Sequence, residues 1–129
     1  MSDLQLFSTS TTPSVSLCEN GNLEIIGKVI PDAEIDFWSP IRSWFDNYLK
    51  SPSKHTIFRL RLECLNTSSS KEILQLLYRL NELKELGFFA TIEWNYVEGD
   101  FDMLEVGHDY QLMVKIPFVF SLVNEGSVV

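Results

Sequence analysis

The sequence predicts a single α/β domain of the α+β kind, with a mixed sheet of about five strands and three helices mainly on one face. Residues 58–64 alternate apolar and charged side chains, which is the period-two pattern of a strand with one buried face. Residues 73–86 then repeat Leu or Ile at helical spacing up to Gly87, and residues 88–96 alternate again. A strand, helix, strand succession of this length forms a right-handed parallel crossover.

The first 30 residues predict an arm followed by a hairpin. Residues 1–13 are rich in Ser and Thr with a short apolar cluster, so we expect a flexible N-terminal arm. Two strand-like runs, Val15 to Cys18 and Leu23 to Val29, flank Asn20-Gly21. Asn-Gly accepts the positive φ angles of a tight turn, so a hairpin opens the domain.

The remaining elements alternate helix and strand. Ser39 is expected to cap the first helix, with Pro40 at the first helical position and an end near Lys50. The elements that follow are a strand at His55 to Asn66, a helix at Thr67 to Leu86, a strand at Phe88 to Tyr96, a helix from Asp102 and a strand at Pro117 to Val123. The predicted order is ββαβαβαβ. Polar side chains line the second side of the central strands, so helices should cover mainly one face.

Composition limits the number of domains and the kinds of partner. The 129 residues, 45% of them hydrophobic, allow one sizeable core, which we place at 14–124 before a short C-terminal tail at 125–129. The net charge of -8 and the pI near 4.6 argue against nucleic-acid binding. Charges interrupt every apolar stretch before bilayer-spanning length, so we expect a soluble, cytoplasmic protein without membrane insertion.

The most informative motif is a run of hydroxyl side chains between the central strand and the second helix, Asn66-Thr67-Ser68-Ser69-Ser70-Lys71. At a helix N-terminus, free backbone N–H groups and the macrodipole favour an anion. A phosphate there should be received by the N–H groups of Ser68 to Ser70 and by Lys71. Ordinary capping is the alternative, since Ser69 and Glu72 have capping-box spacing. Capping needs only one hydroxyl, and both interpretations remain open.

No catalytic, metal-binding or cofactor-binding motif is present. His55 and His108 form no recognisable pairing with Ser68 or Cys64, and the sequence has neither GxSxG nor a Cys-His signature. The acidic residues near His108 fit neither a zinc motif nor an EF-hand loop. We therefore expect no enzymatic activity, no metal and no cofactor.

The hydroxyl run resembles the hallmark of the SiaC family of bacterial regulatory phosphoproteins, in which a strand ends in Asn-Thr-Ser-Ser, a variable residue and Lys. The likeness extends from about Leu23 to Phe120. It includes the Ser39-Pro40 helix with its aromatic face, Ile92-Glu93-Trp94-Asn95-Tyr96 and Asp102-Met103-Leu104-Glu105-Val106-Gly107. The family in turn resembles the STAS domains of anti-sigma factor antagonists, which implies a STAS-like fold.

The resemblance implies a partner switch. Thr67 matches the position that a partner kinase phosphorylates and a PP2C-type phosphatase restores. The unmodified form is expected to bind and activate a diguanylate cyclase, in the cyclic di-GMP signalling that controls biofilm formation and aggregation. Asn66, Ser68, Ser69, Ser70 and Lys71 would flank the phosphosite and contact partners. Two alternatives stay open: an anti-sigma factor antagonist-like adaptor with a different target, and a passive interaction module.

A second loop is predicted beside Thr67. Parallel strands bring their C-terminal ends to one edge of the sheet, so the acidic loop 96–100 should lie near the hydroxyl run. Tyr96, Glu98 and Asp100 are therefore expected to form the rim of the partner interface. A solvated connection around a turn-forming Gly is the alternative.

Overall fold

The computed structural model describes residues 2–124, so the predicted tail at 125–129 lies outside the described residues. Within this range the chain forms, in order, β1 (Leu4–Leu6), β2 (Ser14–Leu17), β3 (Asn22–Val29), α1 (Ser39–Tyr48), β4 (His55–Leu65), α2 (Thr67–Glu85), β5 (Phe89–Val97), α3 (Phe101–Met113) and β6 (Phe118–Val123). The predicted α/β class and the alternation of helices and strands from the hairpin onward are confirmed.

The strands form one mixed sheet in sequence order, β1-β2-β3-β4-β5-β6. β1, β2 and β3 pair antiparallel, which confirms the predicted hairpin, while β3 to β6 pair parallel. The Gly21 turn of the hairpin has the expected positive φ, 100°. Each parallel connection carries one helix, as a crossover requires.

The predicted strand count was one too low, because β1 forms within the arm that we expected to be flexible. Leu4 pairs with Leu17, and Leu6 with Val15, and both leucines are half-buried against the core. The Glu19 N–H also donates to the Asp3 carboxylate at 2.8 Å. A three-residue strand is too short to produce a detectable period in the sequence.

The core lies between one face of the sheet and the helices. The strand side chains on that face are buried: Val15, Leu17, Leu23, Ile25, Phe58, Leu60, Leu62, Ile92 and Trp94. The opposite face carries polar side chains, and there Arg59 Nε contacts Glu93 Oε2 at 2.7 Å between neighbouring strands. The predicted alternation of the central strands is confirmed.

The cap of α1 differs from the prediction. Ser39 is already helical, Trp38 occupies the N-cap position, and no side chain caps it. The Ser39 N–H instead donates to Asp36 Oδ1 at 3.3 Å, so an upstream carboxylate takes the place of the expected hydroxyl cap. The helix ends at Tyr48, slightly before the predicted Lys50.

Gly107 allows α3 to pack closely on the sheet. A Cβ at this position would lie 2.5 Å from Cδ1 and Nε1 of Trp94, which is fully buried. The indole cannot move away freely, because its Nε1 donates to the Met103 carbonyl at 3.0 Å. We expect Gly107→Ala to lower the free energy of unfolding by about 2 kcal/mol through overpacking.

Urea denaturation monitored by Trp fluorescence measures this loss. Glu105→Ala, at an exposed position of the same helix, is the control and should change stability by less than about 0.5 kcal/mol. A Gly107→Ala protein as stable as the control would contradict the close packing of Gly107 on Trp94.

Candidate functional site

Thr67 is the first residue of α2 and lies on the surface. The preceding Asn66 is the N-cap, and its side-chain Oδ1 accepts the Ser69 N–H at 2.9 Å. The Thr67 side chain is exposed, and within residues 2–124 its hydroxyl has no hydrogen-bond partner. The hydroxyl is therefore accessible to another protein and is not needed for capping.

Ser69 does not form the predicted capping box, and it does not face a partner. Its side chain is fully buried, and its Oγ accepts a hydrogen bond from Trp38 Nε1 at 3.3 Å. Glu72 does not reach back to the helix start but forms an ion pair with Arg42 of α1. Asn66 has taken the cap, so Ser69 connects α2 to the segment before α1. Its expected role in partner contact is corrected.

Removing the Ser69 hydroxyl should destabilise the fold. Ser69→Ala leaves the buried indole N–H of Trp38 without an acceptor, which costs about 1 to 2 kcal/mol. Ser68→Ala is the matched control, since Ser68 is exposed and makes only a 3.4 Å contact with Asn66 Oδ1. Thermal unfolding of the two variants measures the difference, and equal stabilities would contradict a structural role for the Ser69 hydroxyl.

The backbone at the start of α2 offers fewer donors than the sequence suggested. The Ser69 N–H is bonded to the Asn66 side chain, and the Ser70 N–H donates to the Asn66 carbonyl at 2.9 Å. Of the three amides expected to receive a phosphate, only that of Ser68 is without a partner in the described part of the chain. The three-amide cradle is corrected, because the cap already uses two of its donors.

A groove of about 650 Å³ lies on one side of Thr67, and we call it the Arg42 groove. Residues 31–38 form much of its wall, and the start of α2 forms the other side. Its charged members at the helices are Arg42, Lys71 and Glu72. Arg42 and Glu72 are ion-paired, whereas Lys71 is exposed and forms no ion pair within residues 2–124.

A smaller groove of about 350 Å³ lies on the other side of Thr67, and we call it the Asp102 groove. It is lined by Leu65, Asn66, Thr67, Ser70, Asp102, Met103 and Val106. The Tyr110 hydroxyl donates to the Ser70 carbonyl at 2.9 Å, which fixes α3 against the first turn of α2. Burial raises the pKa of the Tyr110 phenol, so it remains a donor at neutral pH.

The expected rim residues do not line either groove. β4 and β5 are adjacent and parallel, as predicted, but α3 begins at Phe101 and its own residues approach Thr67. Asp100 Oδ1 caps α3 by accepting the Met103 N–H at 3.1 Å, Tyr96 is half-buried and Glu98 is exposed. Asp102 and Val106 are four residues apart, so they lie on the same face of α3. This spacing was the sequence signal for the face of α3 that lies beside Thr67.

Metal-binding clusters and membrane-spanning helices are both absent from the described part of the chain. Across residues 2–124, no three His, Cys, Asp or Glu side chains converge as ligands for a metal ion. In the same range, no helix has the length and apolar character needed to cross a bilayer.

Solved structures and a curated relative resemble this chain over nearly its full length. A crystal structure of apo-SiaC from Pseudomonas aeruginosa has a TM-score of 0.84 at 25% identity, with 94% of this chain and 99% of that chain covered. The fold also matches a structure of the P. aeruginosa diguanylate cyclase SiaD in complex with its activator SiaC, with a TM-score of 0.85, 23% identity, and 94% and 100% coverage.

An uncharacterized protein of P. aeruginosa strain UCBPP-PA14 is 25% identical over 126 residues, which are 97% of this chain and the whole of that protein. The model of the SiaC family regulatory phosphoproteins matches residues 6–123. Because this match covers almost the entire chain, the protein belongs to the SiaC family of regulatory phosphoproteins.

Proposed function

We propose that this protein is a non-enzymatic, cytoplasmic partner-switch protein whose unmodified form binds and activates a diguanylate cyclase. Family membership supports this function, as does the activator role of SiaC in its complex with the cyclase SiaD in P. aeruginosa. Phosphorylation of Thr67 releases the cyclase and thereby lowers cyclic di-GMP production in biofilm formation and aggregation. The acidic surface, with net charge -8, supports protein partners rather than nucleic acid.

The exposed Thr67 hydroxyl at the start of α2 carries this proposal. A partner kinase transfers the terminal phosphoryl group of ATP to Thr67 Oγ1, the hydroxyl proton passes to a base of the kinase, and ADP leaves. A PP2C-type phosphatase hydrolyses the phosphoester and restores the hydroxyl. The two grooves beside Thr67 give a partner protein concave surfaces on both sides of the switch residue.

The neighbouring residues divide into contacting and supporting groups. Ser68 and Lys71 are exposed next to Thr67, so we assign them to partner contact. Asn66 caps α2, and Ser70 holds Tyr110 through its carbonyl, so these two residues position the site. Tyr96, Glu98 and Asp100 remain an outer rim in this proposal, beyond the α3 residues that line the Asp102 groove.

A pull-down from lysate of the source bacterium tests the switch. Tagged Thr67→Ala keeps the protein in the unmodified state, and Thr67→Asp adds a permanent negative charge that imitates the phosphate imperfectly. We expect the wild type, Thr67→Ala and a Ser51→Ala control, at an exposed position beyond the C-terminal end of α1, to retain a diguanylate cyclase that converts GTP to cyclic di-GMP. Thr67→Asp should retain about tenfold less, as expected for a loss of about 1.4 kcal/mol.

Three outcomes would contradict the proposal. Equal cyclase retention by Thr67→Ala and Thr67→Asp would exclude a charge switch at Thr67. Capture of an anti-sigma factor in place of a cyclase would favour the antagonist-like adaptor. If the intact mass of the protein showed no added phosphate after coexpression with the host kinase, the result would favour a passive interaction module.

A further inference from the structure

A phosphate on Thr67 can accept more hydrogen bonds than the backbone at the start of α2 can donate. The group carries about 1.5 to 2 negative charges and three acceptor oxygens. The cap has already engaged the Ser69 and Ser70 amides, which leaves the Ser68 N–H as the one free donor of the three within residues 2–124. Within the protein, nearby cationic side chains are therefore the partners that can hold the phosphate most strongly.

Both cations near Thr67 belong to the Arg42 groove. Lys71 lies one helical turn after Thr67 on the same face of α2, and it forms no ion pair in the described part of the chain. Arg42 enters the same groove from α1. The Arg42 groove also contains the carboxylates Asp32, Asp36 and Glu72, but the Asp102 groove on the opposite side of Thr67 contains a carboxylate and no cationic side chain. The phosphate is therefore directed toward Arg42 and Lys71.

In the unmodified protein, Glu72 occupies Arg42. Their side chains are 37% and 24% exposed, so the ion pair is solvated and contributes little to stability. A phosphate carries more charge than a carboxylate and can accept two parallel hydrogen bonds from a guanidinium. Exchange of Glu72 for the phosphate is therefore favourable once Thr67 is modified.

We propose that a phosphate on Thr67 is received by Arg42 and Lys71, and that it displaces Glu72 from Arg42. This inference rests on the proposed phosphorylation of Thr67 and adds the residues that bind the phosphate. The exchange breaks the ion pair that joins the starts of α1 and α2. The second α1 to α2 ion pair, Asp46 with Arg79 at 2.7 Å, lies about 10 Å further along α2 and stays intact.

The exchange provides a route from the phosphate to the partner surface. Arg42 follows the segment 31–38, which forms the groove wall, and Trp38 of that segment donates to Ser69 of α2. When Arg42 binds the phosphate in place of Glu72, the arrangement of charges in the Arg42 groove changes and the Glu72 carboxylate becomes free. A partner that binds the unmodified groove meets a different surface without any unfolding of the domain.

Phosphothreonine installed at position 67 by genetic code expansion tests the inference without any kinase. A phosphorus NMR titration measures the second pKa of the phosphate, which is ordinarily about 6. Nearby positive charge lowers this pKa, whereas the groove carboxylates Asp32, Asp36 and Glu72 raise it, so variants are compared with one another. Arg42→Gln and Lys71→Gln should each raise the phosphate pKa by about half a unit or more.

Arg79→Gln is the matched control, because it removes an arginine of the same kind from the other α1 to α2 ion pair. Its phosphate pKa should equal that of the wild type, and Glu72→Gln should lower the pKa by removing the competing carboxylate. An Arg42→Gln protein whose phosphate titrates as in Arg79→Gln would overturn the inference. That result would leave the proposed function standing, because the pull-down tests the switch independently of how the phosphate is held.

Discussion

Replacing Gly21 with alanine should lower the free energy of unfolding by about 3 kcal/mol or more, the largest stability loss that we expect from one added methyl group. Gly21 has a φ of 100°, where a side chain is strained, and its Cβ would lie 2.3 Å from the His55 carbonyl oxygen. That oxygen belongs to the backbone of β4, so no rotamer change relieves the clash. The turn and the start of the central strand would have to separate.

Urea denaturation measures the loss, and Glu19→Ala in the same turn is its control. The Glu19 side chain is exposed, and the hydrogen bond of Glu19 to Asp3 uses its backbone N–H, which alanine keeps. The control should stay within about 0.5 kcal/mol of the wild type. If Gly21→Ala unfolded at the same urea concentration as the control, the close approach of the turn to β4 would be wrong.

Gly21 illustrates which part of this fold can be predicted from local sequence. Asn20-Gly21 predicts a turn with positive φ, because that preference is a property of the two residues themselves. The contact with His55 joins distant parts of the chain, and so does the 2.8 Å hydrogen bond from the Ile57 N–H to the Gly21 carbonyl. No local pattern encodes such an approach.

The same distinction applies at the start of α2. Helical periodicity and the hydroxyl run placed the helix start at Thr67, as observed, but several neighbouring side chains were able to cap it. The choice of Asn66 over Ser69 depends on Trp38, whose buried indole N–H needs the Ser69 hydroxyl as its acceptor. Arg42 was not predicted as part of the site, because its place beside Thr67 follows from the packing of two helices.

Phosphorylation of Thr67 should weaken binding to the cyclase by about 100-fold or more while leaving the fold intact. A phosphate enclosed at an interface that had surrounded a neutral hydroxyl must be desolvated, together with the Arg42 and Lys71 side chains that we propose bind it, or must face like charge, and either costs several kcal/mol. A loss of about 2.7 kcal/mol corresponds to 100-fold in the dissociation constant. The domain itself should retain its stability to within about 1 kcal/mol, since Thr67 is exposed and its hydroxyl supports no internal contact in the described residues.

Isothermal titration calorimetry with the cyclase recovered by the pull-down compares the unmodified protein with phosphothreonine at position 67. Phosphoserine at position 51, exposed beyond the C-terminal end of α1, is the control for added charge and should bind like the unmodified protein. Equal weakening by both modifications would assign the effect to net charge rather than to the Thr67 site. Equal binding by all three forms would remove Thr67 from the interface, because an enclosed phosphate cannot be without energetic effect where a neutral hydroxyl had packed.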